Sequence, residues 1–86
     1  KEDALQIFRS LTLAKKLAPD HDPAEVKKAV TNYFQQGKLI LEYFEIVDPN
    51  TLESLDSEWK NGATACIVVF CGDVRLIDNM ELVGGN

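Results

Sequence analysis

Apolar residues recur along positions 4–18 at intervals of three and four: Ala4, Ile7, Phe8, Leu11, Ala14 and Ala18. That spacing places them on one face of a helix, with Arg9, Ser10 and Lys16 elsewhere. The segment Pro19-Asp20-His21-Asp22-Pro23 breaks the pattern. Asp22 is placed to cap a second helix, with Pro23 at its first position. This helix is expected from Pro23 to about Gln36, with an apolar stripe of Val26, Ala29, Val30, Tyr33 and Phe34. Glu25 falls in its first turn, where the helix dipole favours negative charge, and Gly37 is its expected stop.

The period then changes to two. Leu39 to Val47 reads as a strand, with Ile40, Glu42, Phe44 and Ile46 on one face and Leu39, Leu41, Tyr43, Glu45 and Val47 on the other. Asp48-Pro49-Asn50 ends it with turn chemistry. The connection over 49–62 is expected to carry a helical turn and to be anchored by Leu52, Leu55 and Trp59. Asn61-Gly62 opens a second strand, Thr64 to Cys71, and the Gly72-Asp73 turn leads into a third, Val74 to Leu82. Arg75 and Asn79 should project from one face of this last strand and Asp78 from the other. Gly84-Gly85-Asn86 is expected to fray. The fold class is α+β: two N-terminal helices packed on a three-stranded, mainly antiparallel sheet as a two-layer sandwich.

The second strand is apolar at nearly every position from Ala65 to Cys71. A half-buried strand would alternate, so both of its faces are expected to be covered. Two helices cover one face. The other needs the 49–62 connection, another chain or a missing domain. Phe8, Tyr33, Phe34, Phe44, Trp59 and Phe70 fall at inward positions and read as core, whereas Tyr43 could lie on the docking side.

Eighty-six residues make one domain, and the net charge is −5. Nine Lys and Arg residues are scattered, which disfavours nucleic acid and an anionic membrane surface as partners. The apolar runs are too short to span a bilayer. The chain has no initiator Met and enters a helical pattern at once, which reads as removal of upstream sequence rather than a processed start. Cys66 and Cys71 lie five apart in one strand, on opposite faces and about 16 Å apart by strand rise. They are expected as reduced thiols, as in a cytoplasmic protein, rather than as a disulfide.

Catalytic chemistry is scarce. His21 is the one histidine and sits in a Pro/Asp-rich loop; it reads as an idle exposed imidazole rather than a base or ligand. Gly-rich phosphate loops are absent. Glu42, Glu45, Asp48, Glu53, Asp56 and Glu58 read as a solvated rim rather than a cation site, since no EF-hand spacing is present. No catalytic, cofactor-binding or metal residue is assigned. Arg75, Asp78 and Asn79 form the polar group of most interest. They could bond to a neighbouring domain or satisfy local backbone groups where the strand ends.

Two stretches, Tyr43-Phe44-Glu45-Ile46-Val47-Asp48-Pro49-Asn50-Thr51-Leu52-Glu53 and Arg75-Leu76-Ile77-Asp78-Asn79, resemble the wording of the pantoate–β-alanine ligase (pantothenate synthetase) family in its C-terminal domain. Their order, spacing and intervening apolar strand agree together. Phe44 replaces a commoner small aliphatic residue, and Glu42 stands where Asp is usual. The resemblance implies a ligase that joins pantoate to β-alanine with ATP and Mg²⁺ through a pantoyl-adenylate, releasing pyrophosphate and then AMP. The family's nucleotide site lies in an N-terminal Rossmann-like domain with a His-x-x-His motif and a Lys-Met-Ser loop. Both motifs are missing here; Met80 is followed by Glu81. The resemblance therefore implies that residues 1–86 are a C-terminal lid domain, inactive and without bound ATP or Mg²⁺ when alone. Its partner would be the absent catalytic domain, in a full-length enzyme that is a cytoplasmic homodimer. Tyr43, Arg75, Asp78 and Asn79 are the candidate interdomain contacts. The alternative reading is a stand-alone interaction module that dimerises through its sheet.

Overall fold

Reciprocal hydrogen bonds at Asp22 and Glu25 fix the start of the second helix. In the computed structural model, which describes residues 2–35, 37 and 39–84 and the side chains from Leu5 onward, the Glu25 amide donates to Asp22 Oδ1 at 2.8 Å. The Asp22 amide donates to Glu25 Oε1 at 2.9 Å, which completes a capping box with Pro23 at the first helical position. This helix, α2, spans Pro23–Phe34 and buries Pro23, Val26, Val30 and Phe34. It ends at Gln35, whose amide donates to Asn32 O. The expected end at Gln36 lies outside the described residues. Gly37, the expected stop, follows the Gln35 cap by two residues.

The first helix, α1, spans Glu2–Leu17 and runs into a 3-10 turn at Ala18–Asp20. Ile7, Leu11, Ala14 and Ala18 are buried, as the spacing requires; the side chain of Ala4 lies outside the described residues. Two flanking positions depart from expectation. Phe8, expected in the core, is exposed, whereas Ser10 is fully buried. At about 100° per residue these two positions flank the stripe on opposite sides, so packing decides which turns inward. The serine hydroxyl donates to Ile7 O at 2.7 Å, so no buried donor is left over. The Tyr33 hydroxyl donates to Gln6 Oε1 at 2.8 Å and links the two helices.

The sheet has the order β1-β2-β3, with β1 at Ile40–Val47, β2 at Thr64–Cys71 and β3 at Val74–Glu81. Both pairings are antiparallel. Gly72, with φ 62°, takes the first central place of the two-residue hairpin turn between Cys71 and Val74, where a side chain would strain the backbone. Cys66 and Cys71 fall on opposite faces and are not bonded to each other. The face under the helices carries Phe44, Ile46, Ala65, Ile67 and Val69, all buried, with Leu76 and Met80 half-buried beside them. Each fully buried Ile, Val or Phe contributes about 1.5–3 kcal/mol.

One shift of register alters the reading of β1. Leu41 pairs with Val69 and Tyr43 with Val68, so Glu42 is an extra residue, a β-bulge. Alternation therefore restarts at Tyr43. Ile40, expected to share a face with Phe44 and Ile46, points to the opposite face and is 67% exposed. Glu42 is likewise not inward.

The connection after β1 opens with a single helical turn, closed by the Leu52 amide on Asp48 O at 2.7 Å, and then runs extended without a further helix. Ser54 bridges back to Val47, and the Leu55 amide donates to Ile46 O at 2.8 Å. The Ala24 amide donates to Asp56 O at 3.0 Å, and the Trp59 indole donates to His21 O at 2.6 Å. These long-range partners take the backbone and side-chain groups that a local helix would have left to itself. Leu55 and Trp59 pack against the core as expected. Leu52, the third expected anchor, is exposed. Gly62, with φ 81°, turns the chain into β2, and its amide donates to Gly84 O at 2.9 Å. Gly85 and Asn86, in the expected frayed end, lie outside the described residues.

Candidate functional site

The helices and the connection leave one face of the sheet open. Its residues follow from the register: Tyr43, Val68 and Ile77 form a row across β1, β2 and β3, with Ile40, Phe70 and Arg75 beside it on one side and Glu45, Cys66 and Asn79 on the other. Val68, at the centre, is 8% exposed, while Tyr43 is 45% and Ile77 66% exposed. The flanking side chains thus shade the central strand, and the apolar surface presented to solvent belongs to the outer strands. This refines the expectation that β2 is covered on both faces. Its second face is shaded from within the sheet, not covered by another layer.

The polar groups sit around that apolar centre. Arg75 Nε donates to Glu42 Oε1 at 3.0 Å, an ion pair that reaches from β3 across β2 to β1. The bulge makes this possible by turning Glu42 onto the open face. Both side chains are well exposed, so the pair adds under about 1 kcal/mol. Asp78 pairs with Ile67 and lies on the helix side, where its Oδ1 accepts the Asn79 amide at 2.8 Å. The fold therefore brings Tyr43, Arg75 and Asn79 to one face and leaves Asp78 on the other. Glu42, Ile40 and Ile77 join the open face unforeseen. Adjacent apolar residues at Leu76 and Ile77 were the available signal for Ile77. A lone acid at a position read as inward was the signal for the bulge.

Elsewhere, Lys27, Glu45, His21 and Glu25 are engaged locally. Lys27 Nζ donates to Glu45 Oε2 at 2.6 Å, and Ser54 Oγ donates to Glu45 Oε1 at 3.1 Å. His21 Nδ1 lies 3.5 Å from Glu25 Oε1, and both side chains are exposed. Among the described residues, no group of three or more His, Cys, Asp or Glu is placed to hold a metal ion. A shallow groove of about 440 Å³ between the helices is lined by Gln6, Leu13, Ala29, Asn32, Tyr33 and Gly37, which supply no charge for a phosphate. No described helix is long and apolar enough to cross a membrane. This geometry supports contact with another surface rather than chemistry on a small molecule.

Comparison with known proteins gives that contact a context. Residues 1–81 match the family model for pantoate-beta-alanine ligase. The chain is 43% identical over 84 residues to pantothenate synthetase of Bacteroides thetaiotaomicron, a match covering 94% of this chain and 29% of that protein. It is 37% identical over 84 residues to pantoate–beta-alanine ligase of Arabidopsis thaliana, covering 95% of this chain and 27% of that protein. The fold superposes on the crystal structure of pantothenate synthetase from Thermus thermophilus with a TM-score of 0.83 and 27% identity, over 95% of this chain and 30% of that one. The chain thus spans under a third of the length of the relatives it matches. On the match over residues 1–81 and these identities, the chain belongs to the pantoate–β-alanine ligase family.

Proposed function

We propose that this chain is the C-terminal lid of a pantoate–β-alanine ligase and that its open sheet face docks on the catalytic remainder of that protein. The observation that carries the reading is the set of exposed apolar residues Ile40, Tyr43 and Ile77 on the open face, on a chain that covers only 29% of a relative. In the proposed reaction, pantoate attacks ATP to give pantoyl-adenylate and pyrophosphate. The β-alanine amine then displaces AMP to form pantothenate. The mixed anhydride is open to hydrolysis, and a cover that excludes water protects it. This chain supplies the cover and no reacting group. ATP and Mg²⁺ belong to the remainder, because Glu42 and Glu45 here are already bonded to Arg75 and to Lys27. Tyr43, Arg75 and Asn79 are proposed contacts at the interface, with Asp78 bonded locally to the Asn79 amide within β3. The full-length protein is proposed to be a cytoplasmic homodimer.

The competing reading, a stand-alone module that dimerises through its sheet, is not favoured. It leaves unexplained why the matching relatives are each more than three times longer, at 27–30% coverage.

The test uses the full-length protein with Ile77→Asp. Wild type should release AMP and pantothenate one to one. The variant should release AMP in excess, because adenylate reaches water before β-alanine does. An unchanged ratio with unchanged turnover would count against the docking role. The 86-residue chain alone is expected to form no pantothenate; ATP-dependent condensation by it would overturn the division of labour.

A further inference from the structure

Leu52 joins a left-handed backbone, which closes the turn after β1, to a large apolar side chain that gains nothing for an isolated domain. Its backbone has φ 63°, in the left-handed region where an L side chain crowds the next carbonyl. Its side chain is also 76% exposed. The turn around it is closed from both ends: the Leu52 amide donates to Asp48 O at 2.7 Å, and the Asp48 amide donates to Glu53 O at 3.0 Å. The Asn50 amide adds a bond to Asp48 Oδ1 at 2.8 Å. Glycine or asparagine is the ordinary occupant of such a position, because either takes a positive φ at low cost. Leucine there both disfavours the backbone and turns a large apolar group into water. A strained residue persists where its surroundings in the working state over-determine it.

We infer that Leu52 is a docking knob. In the full-length protein its side chain seats in an apolar pocket on the part of the polypeptide that this chain does not contain. That occupant is chosen because the chain accounts for 29% of a relative's length, and the inference rests on the proposed function to that extent. It adds a contact distinct from the sheet face: a single apolar peg at the tip of the Asp48–Glu53 turn. The turn's closing bonds present the side chain at a fixed angle, so little conformational freedom is lost when it seats.

The test is alkylation of Leu52→Cys in the full-length protein, with ATP and pantoate present, read by peptide mass spectrometry. Modification at this site should be at least about tenfold slower in the folded protein than in the urea-unfolded protein. Equal rates would overturn the inference. Protection that vanishes on dilution would identify a second copy as the occupant and would also overturn it. Leu52→Asn gives an independent reading, because asparagine accepts the left-handed backbone. A seated leucine predicts a Tm lower by roughly 3 °C in the full-length variant, whereas a free one predicts an unchanged or raised Tm. Should the full-length protein make no pantothenate while the introduced thiol stays protected, the proposed function falls and this inference stands.

Discussion

Asp22 and Glu25 hold each other's backbone amides, and neither is buried deeply enough for packing to share the task. Asp22→Ala should cost about 1 kcal/mol, read as a lower urea midpoint with an unchanged slope. Ile67→Ala, at a wholly buried site on β2, should cost about 2–5 kcal/mol, a large part of what a domain of this size has. The two residues differ in how openly the chain announces them. The cap was legible because Asp-Pro before an apolar period has few other uses. Ile67 was legible as core but not as to which layer covers it, since every neighbour from Ala65 to Cys71 is also apolar. Phe8 and Ser10 were misread for a different reason. Helical period defines the centre of a stripe well and its margins poorly, and a serine whose hydroxyl is satisfied within its own helix can be buried there.

Glu42 shows how a strand can mislead. Alternation read straight through β1 puts Ile40 with Phe44, yet the bulge separates them. Because Leu41 and Tyr43 already face consecutive residues of β2, Val69 and Val68, deleting Glu42 should leave every other side chain on its present face. That deletion should keep a cooperative unfolding transition and cost about 1 kcal/mol or less, mainly the Arg75 ion pair. Deleting Glu45 instead demands a one-residue slip that turns Phe44 or Ile46 outward, and the cooperative transition should be lost. Circular dichroism with urea titration of both deletions checks the pair. The limits of β2 and its turn at Gly72-Asp73 were readable from composition because nothing distant sets them. The single turn after Asp48 was readable, whereas the extended course beyond it was not, since that depends on Ile46, Ala24 and His21, partners far off in the chain.

The two faces of the sheet divide the labour: one is sealed by α1 and α2, the other is shaded only by its own outer strands. Ile77→Asp should therefore leave the unfolding free energy of the 86-residue chain, from urea titration, within about 0.5 kcal/mol of wild type, while disturbing the longer protein. A large loss in the short chain would mean that Ile77 serves the domain itself and not its neighbour. That an open face would exist was legible from the apolar run of β2, whereas which residues populate it was not, because the bulge turns both Ile40 and Glu42 onto it. The indole bond from Trp59 to His21 carries a separate consequence. It belongs to the chain's single tryptophan, fastened at the seam between the connection and the start of α2. Intrinsic emission thus watches that seam rather than the sheet. Agreement between its denaturation curve and the ellipticity curve would mark the loop as an integral part of one cooperative unit, and an earlier emission change would mark it as a flap that peels away first.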